Sequence, residues 1–202
     1  MKDVRLDRGV QKTRKLYEAA LIELLKTNDI NRITVTDLSK MADVSRGTFY
    51  THYDDIYDLL ESVENSILEE LTRIVSIEPH KGEIFLFEEE FTNIVNALKY
   101  AETNKEIFRV LLNDRGSLLF LNRLKNIFSE KLLTRMLTVS FSDEKYNSIL
   151  TAFYITGFIG AIQEWMKNDF NISAFELASL IKAMLKKGAV SFNEEQKKKG
   201  KL

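Results

Sequence analysis

Thr34 and Asp37 are spaced to cap a short helix, with Asp37 at the third helical position. Leu38 and Ala42 of that helix would face inward. Asp43 stands where the chain must turn tightly, and aspartate tolerates a left-handed backbone better than most residues. Val44 then pins the turn, and Ser45 caps a second short helix. Phe49 and Tyr53, four residues apart, share its buried side. That leaves Arg46, Gly47, Thr48 and Tyr50 near its exposed N-terminal end. Two short helices joined by a turn of three or four residues make a helix-turn-helix layout. The second helix of such a pair is the kind that enters a major groove, where its first residues reach base edges. From Val44 to Tyr53 there is no acidic side chain, the minimum for a surface that meets phosphates.

Other constellations point to no chemistry. There is no cysteine, so thiolate metal sites, disulfides and cysteine nucleophiles are excluded. His52 and His80 are too few for a multi-histidine metal site. Glu88, Glu89 and Glu90 diverge around a helix and suit its positive end better than a bound ion. No glycine-rich phosphate loop or nucleophile elbow is present. Neither a catalytic set nor a cofactor nor a metal is expected.

The elements that must position these residues are helices. Apolar residues recur at spacings of three and four, and sustained alternation is missing. One proline in 202 residues leaves room for long helices. Val10, Tyr17, Ala20, Leu21, Leu24 and Leu25 form a first stripe. Val35, Leu38, Met41 and Ala42 form a short second one. Ile56 to Ile74 marks a long helix ending before Pro79, within a loop over residues 78–82. Phe87 to Leu98 mark the next. Thr103 and Glu106 fit a capping box opening a further helix. Asn113 to Gly116 reads as a turn, and Leu121 to Met136 as a helix. Ser142 is placed to open the longest element, running to about Asn168. Ser173 and Glu176 form another capping box, and that helix runs to Gly188.

This predicts an all-α chain of about nine helices. Residues 1–55 form a three-helix helix-turn-helix domain. Residues 56–190 form a larger helical ligand-binding and dimerisation domain, and 191–202 a Lys-rich mobile tail. Net charge is −1, which argues against general polyanion binding. Residues 1–15 carry six basic and two acidic side chains, so the basic charge is a short arm. No apolar run approaches the roughly 20 residues of a membrane span, and the charged N-terminus does not read as a secretory signal. A cytoplasmic protein without a membrane partner is expected.

At Thr-Val-x-Asp-Leu, Ala-x-Val-Ser and Arg-Gly-Thr-Phe-Tyr-x-His-Tyr, over residues 34–53, the chain resembles the TetR (tetracycline-repressor) family of bacterial regulators. The upstream Thr13-Arg14 and Ala19-Ala20 fit as well. Gly157, Gly160 and Trp165 are similar to a pattern in one branch. The resemblance implies that Arg46, Gly47 and Thr48 face bases, beside the cap residue Ser45. It implies that Tyr50, His52 and Thr34 hold phosphates, with Lys12, Arg5 and Arg8 adding backbone contacts. It also implies a homodimer formed through the last two long helices and a double-stranded, pseudo-palindromic DNA operator. A small-molecule effector would release or modulate the complex, most often a repressor complex. Three departures stand out. Asp43 occupies the usual glycine position. Asp54-Asp55-Ile56 stands where a lysine usually opens the fourth helix. Residues 16–55 carry four basic and seven acidic side chains. The alternative they raise is a TetR-like co-regulator that binds a partner protein and has lost DNA affinity.

The C-terminal aromatics are candidates both for core and for an effector pocket: Phe91, Phe108, Phe128, Phe153, Tyr154 and Trp165. Arg115, Asn122, Thr156 and Gln163 are candidate polar groups beside them, for a largely apolar or weakly polar ligand.

Overall fold

The structure, a computed structural model, describes residues 3–76, 86–113, 116–130, 144–184 and 187. All regular elements among them are helices. They are α1 (Asp3–Leu25), a 3-10 turn (Ile30–Arg32), α2 (Val35–Ala42), α3 (Arg46–Phe49), α4 (Ile56–Val75), α5 (Leu86–Thr103), α6 (Lys105–Leu111), α7 (Leu118–Phe128), α8 (Glu144–Lys167) and α9 (174–184). No helix among the described residues is long and apolar enough to cross a membrane. The Arg5 and Arg8 side chains, the carboxylates of Glu88 to Glu90, His80 and its loop, Arg115, Leu132, Met136, Ser142, Gly188 and residues 191–202 lie outside the described residues.

The chain divides into two compact units, residues 1–67 and 68–202, with α4 continuing through the boundary. In the first unit Tyr17, Leu21, Leu38 and Phe49 are completely enclosed. They come from α1, α2 and α3 and make one small core. In the second unit Leu71, Leu98, Phe120, Leu124 and Ala178 are enclosed to within about one per cent. Glycine is required at Gly116. A Cβ there would stand 2.1 Å from the Leu111 carbonyl oxygen, a backbone atom that cannot swing away. The Gly116 amide closes the expected turn onto the Asn113 carbonyl at 2.9 Å.

Three expectations need correction. Val10 and Met41 lie on exposed faces, not in the core stripes. In α2 only Leu38 and Ala42 of the apolar set point fully inward, because an eight-residue helix packs on one narrow line. The Thr103–Glu106 box does not form. Thr103 is the last residue of α5, and Asn104 instead donates its side-chain amide to the Tyr100 carbonyl at 2.8 Å. α5 and α6 are thus separated by one residue, leaving no extended cap position for Thr103. The Ser173–Glu176 box is present. Ser173 N–H donates to the Glu176 carboxylate at 2.8 Å, and Glu176 N–H returns to the Ser173 hydroxyl at 3.2 Å.

Candidate nucleic-acid interface

Short-range chemistry builds the α2–turn–α3 segment. The Asp37 N–H donates to Thr34 Oγ1 at 3.2 Å, and the Thr34 N–H donates to Asp37 Oδ2 at 3.1 Å. The Thr34 hydroxyl also donates to the same carboxylate oxygen. These bonds hold the Asp37 carboxyl below the usual carboxylate range. α2 then ends at Asp43, whose φ of 52° and ψ of 42° place it in the left-handed region. The Val44 N–H reaches back to the Ser39 carbonyl at 3.1 Å, which closes the helix end. Ser45 opens α3 by accepting the Thr48 N–H on its hydroxyl at 3.1 Å.

α3 is one turn long, and its inward side is aromatic. The Phe49 ring meets Tyr17 edge-on at 5.3 Å between centroids and Tyr53 at 5.6 Å. Burial raises the Tyr17 phenol above its ordinary value. On the outward side Ser45, Arg46, Gly47 and Tyr50 are exposed, while Thr48 and His52 are half-buried. Tyr50 keeps 55% of its surface in solvent although its ring edge touches Phe49. A Cβ on Gly47 would have only Ser45 Oγ near it, at 3.8 Å, so the chain's own packing does not demand glycine there. The space in front of α3 is open, as a groove-facing backbone needs. Thr34 and Lys12 are exposed on neighbouring elements. The Thr34 hydroxyl proton is directed at Asp37, which leaves it less free than the Tyr50 hydroxyl to meet an anion.

At the expected lysine position Asp55 engages its carboxylate locally and Asp54 its backbone N–H. Asp55 accepts the Asp58 N–H at 2.9 Å and so caps α4, and Asp58 accepts the Asp54 N–H at 2.9 Å. Ile56 is buried at 5% exposure. The sequence places Arg14 in the family pattern but gives it no role. Its Nε donates to the Tyr53 hydroxyl and its Nη2 to Ser62 Oγ, each at 3.2 Å. The Tyr53 bond raises the guanidinium further above its ordinary value. An arginine spaced into the first helix was the one signal available.

Among the described residues, the expected pocket aromatics differ in burial and pair with different rings. Phe108, Phe128 and Trp165 are buried, Phe91 and Tyr154 half-buried, and Phe153 is 69% exposed. Each ring has its own neighbour: Phe91 meets Phe175, Phe108 meets Tyr100, Phe128 meets Phe158, and Trp165 meets Phe170. Phe153 and Tyr154 meet each other. Of the candidate polar groups, Asn122 and Thr156 are exposed, while Gln163 is half-buried and donates to the Leu112 carbonyl at 2.8 Å. Gln163 lines a cleft of about 390 Å³ between the ends of α6 and α8, with Arg109, Leu112, Asn113, Met166, Lys167 and Asp169. Its walls come from segments some fifty residues apart, a pairing no local pattern announces.

Residues 88–187 match the model of a TetR-type transcriptional regulator C-terminal region. A TetR transcriptional regulator from Streptococcus agalactiae is 26% identical, with a TM-score of 0.66 over 91% of this chain and 98% of that one. NalD of Pseudomonas aeruginosa, the secondary repressor of the MexAB-OprM multidrug efflux pump, has the same fold. It shows a TM-score of 0.65 at 16% identity over 90% of this chain and 97% of its own. YxbF of Bacillus subtilis (strain 168), an HTH-type transcriptional regulator, is 28% identical over 124 residues. That is 61% of this chain, which spans about a third (32%) of the YxbF length.

Proposed function

Because the chain belongs to the TetR family of transcriptional regulators, we propose that it is a homodimeric, ligand-responsive repressor without enzymatic activity, binding a pseudo-palindromic operator through α2 and α3. The observation that carries this is the segment from Val44 to Tyr53. It is free of acids, capped at Ser45, packed by Phe49 and Tyr53 behind, and open in front at Arg46, Gly47 and Tyr50. Arg46, Gly47 and Thr48 read base edges. Tyr50, His52, Thr34 and Lys12 set the register on phosphates, contacts that carry no sequence information. Residues 1–55 are the DNA-binding domain, 56–190 the effector-binding and dimerisation domain, and 191–202 a tail.

Dimerisation runs through α8 and α9. Ile149 and Phe153 are each 69% exposed, and Gly157 and Gly160 continue the same side of α8. On α9, Leu180 and Met184 are also exposed. Apolar surface in this amount on two helices is the kind that a second copy covers. A dimer would place two α3 segments one DNA turn apart, about 34–36 Å. A small, largely apolar effector that favours another helix arrangement in the C-terminal domain would break this spacing through α4. Of the acidic pair that motivates the co-regulator reading, Asp55 is accounted for by the cap of α4, while Asp54 lends that cap only its backbone N–H.

Selection of bound duplexes from a random library at low salt tests the proposal. An enriched two-fold motif with half-sites one turn apart is expected. No enrichment would overturn it in favour of the co-regulator.

A further inference from the structure

A helix of four residues has almost no intrinsic stability, and its own hydrogen bonds do not fix its direction. The tilt of α3 must therefore come from contacts outside it. The aromatic bed of Tyr17, Phe49 and Tyr53 supplies area and a shallow edge-to-face preference worth about 1 kcal/mol per pair, softer in direction than a hydrogen bond. Directional bonds come from α1, at both ends of the segment. The Tyr17 hydroxyl donates to the Ser45 carbonyl oxygen at 2.9 Å, before the first residue of α3. One turn earlier on α1, Arg14 Nε donates to the Tyr53 hydroxyl at 3.2 Å, beyond its last residue. The same guanidinium lies 5.7 Å from the centre of the Tyr53 ring and bonds Ser62 on α4 with its other arm.

We infer that α1 sets the tilt of the base-reading segment by gripping its two ends, with Tyr17 and Arg14 as positioning residues for sequence discrimination. This rests on the reading of α3 as the DNA-reading helix. Tyr17 and Arg14 touch no base. They hold Arg46, Gly47 and Thr48 at the angle from which base edges are reached, and Arg14 ties that hold to α4.

Tyr17→Phe and Tyr53→Phe each remove one grip and leave the buried ring in place. Both variants and the wild-type chain are compared by amide hydrogen exchange without DNA, and by affinity for the selected duplex against a random duplex. Faster exchange is expected at the amides of Phe49, Tyr50 and Tyr53 in both variants, with the Leu38 amide of α2 unchanged. The ratio of selected to random affinity should fall about tenfold, the size of one lost base-pair discrimination. Unchanged exchange across Phe49 to Tyr53 overturns the inference whatever the DNA result. An equal loss of affinity for both duplexes, with faster exchange throughout the unit, also overturns it, because that marks a merely structural role. If the wild-type chain enriches no motif, the DNA-reading assignment fails and takes the discrimination role with it, while the exchange data still decide whether the grips exist.

Discussion

The indole N–H of Trp165 donates to the carbonyl oxygen of Ile172 at 2.8 Å and so ties the end of α8 to the start of α9. Between them Asp169 and Phe170 both stand at φ 57°, a left-handed pair that L side chains rarely adopt. The Phe170 ring packs edge-on to the indole at 4.7 Å, and the Phe170 N–H closes onto the Trp165 carbonyl at 2.9 Å. The turn is held from outside by the buried indole and by Arg109, which pairs with Asp169 and lies 5.4 Å from the centre of the Phe170 ring. Trp165→Phe should therefore destabilise the C-terminal unit by about 2 kcal/mol, combining a lost hydrogen bond with a small cavity. Trp165 is the only tryptophan, so urea unfolding must be followed by circular dichroism. An unchanged midpoint would show that the indole does not hold the turn.

Glycines in the C-terminal unit should respond in opposite ways. Gly116→Ala forces a Cβ into the Leu111 carbonyl and should cost about 3 kcal/mol. At Gly157 and Gly160 a Cβ meets nothing within 4 Å. Alanine there should favour the isolated α8 by about 1 kcal/mol from helix propensity. If a second copy covers this face, Gly160→Leu will nonetheless shift the protein toward monomer in light scattering at micromolar concentration. A wild-type protein that is already monomeric there would defeat the dimer.

Tyr50→Phe should weaken binding to all duplexes alike, since a lost phosphate bond carries no base information. Thr48→Ala should change preference at one or two positions, by about 1–3 kcal/mol each. Repeating the library selection with each variant separates the two outcomes. A changed motif for Tyr50→Phe would reassign that residue to base reading.

An effector at 100 times its dissociation constant should stabilise the protein by about 2.7 kcal/mol, visible as a higher melting temperature. The same compound must lower affinity for the selected operator. A compound that raises melting temperature and leaves operator affinity unchanged would show that binding and release are not coupled.

Both ends of the pH range should loosen particular elements. The Thr34 and Ser173 groups hold the Asp37 and Glu176 carboxyls below the usual range. Their contribution is present above the ordinary carboxylate value and is lost as pH falls through the lowered folded value. The N-terminal turns of α2 and α9 should fray first in acid. Burial raises the Tyr17 phenol, so its contribution is present below the ordinary tyrosine value and lost as pH rises through the folded one. Carboxyl and phenol NMR titrations check both directions. Thr34→Ala removes the hydroxyl donor but keeps the backbone N–H, so it should move Asp37 only part of the way back toward the usual range.

What was legible in the sequence was local. Thr34 with Asp37, Ser45 and the left-handed Asp43 could be read because each acts within about four residues of itself. The Thr103 box failed because Asn104, its neighbour, ended α5 with a competing amide bond. Exposure was harder. Phe153 and Phe158 are the same residue type on one helix, yet one is 69% exposed and the other 8%. Only the packing of α8 separates them. Arg14 with Tyr53 and Ser62, 39 and 48 residues away, could not be read at all, because nothing local selects one distant hydroxyl over another.

The head of α4 has a consequence for how this chain can change. The TetR resemblance implies a lysine there, and three positions, Asp54, Asp55 and Ile56, could in principle carry one. Ile56 has become part of the core, so an ammonium at that position would have to be buried unpaired. Asp55 has become the cap, and losing it would unravel the first turn by about 1 kcal/mol. Asp54 contributes to the cap only its backbone N–H, which any residue but proline supplies. Two of the three positions are closed by folding, so an evolving or engineered chain gains a cation at this helix head through Asp54.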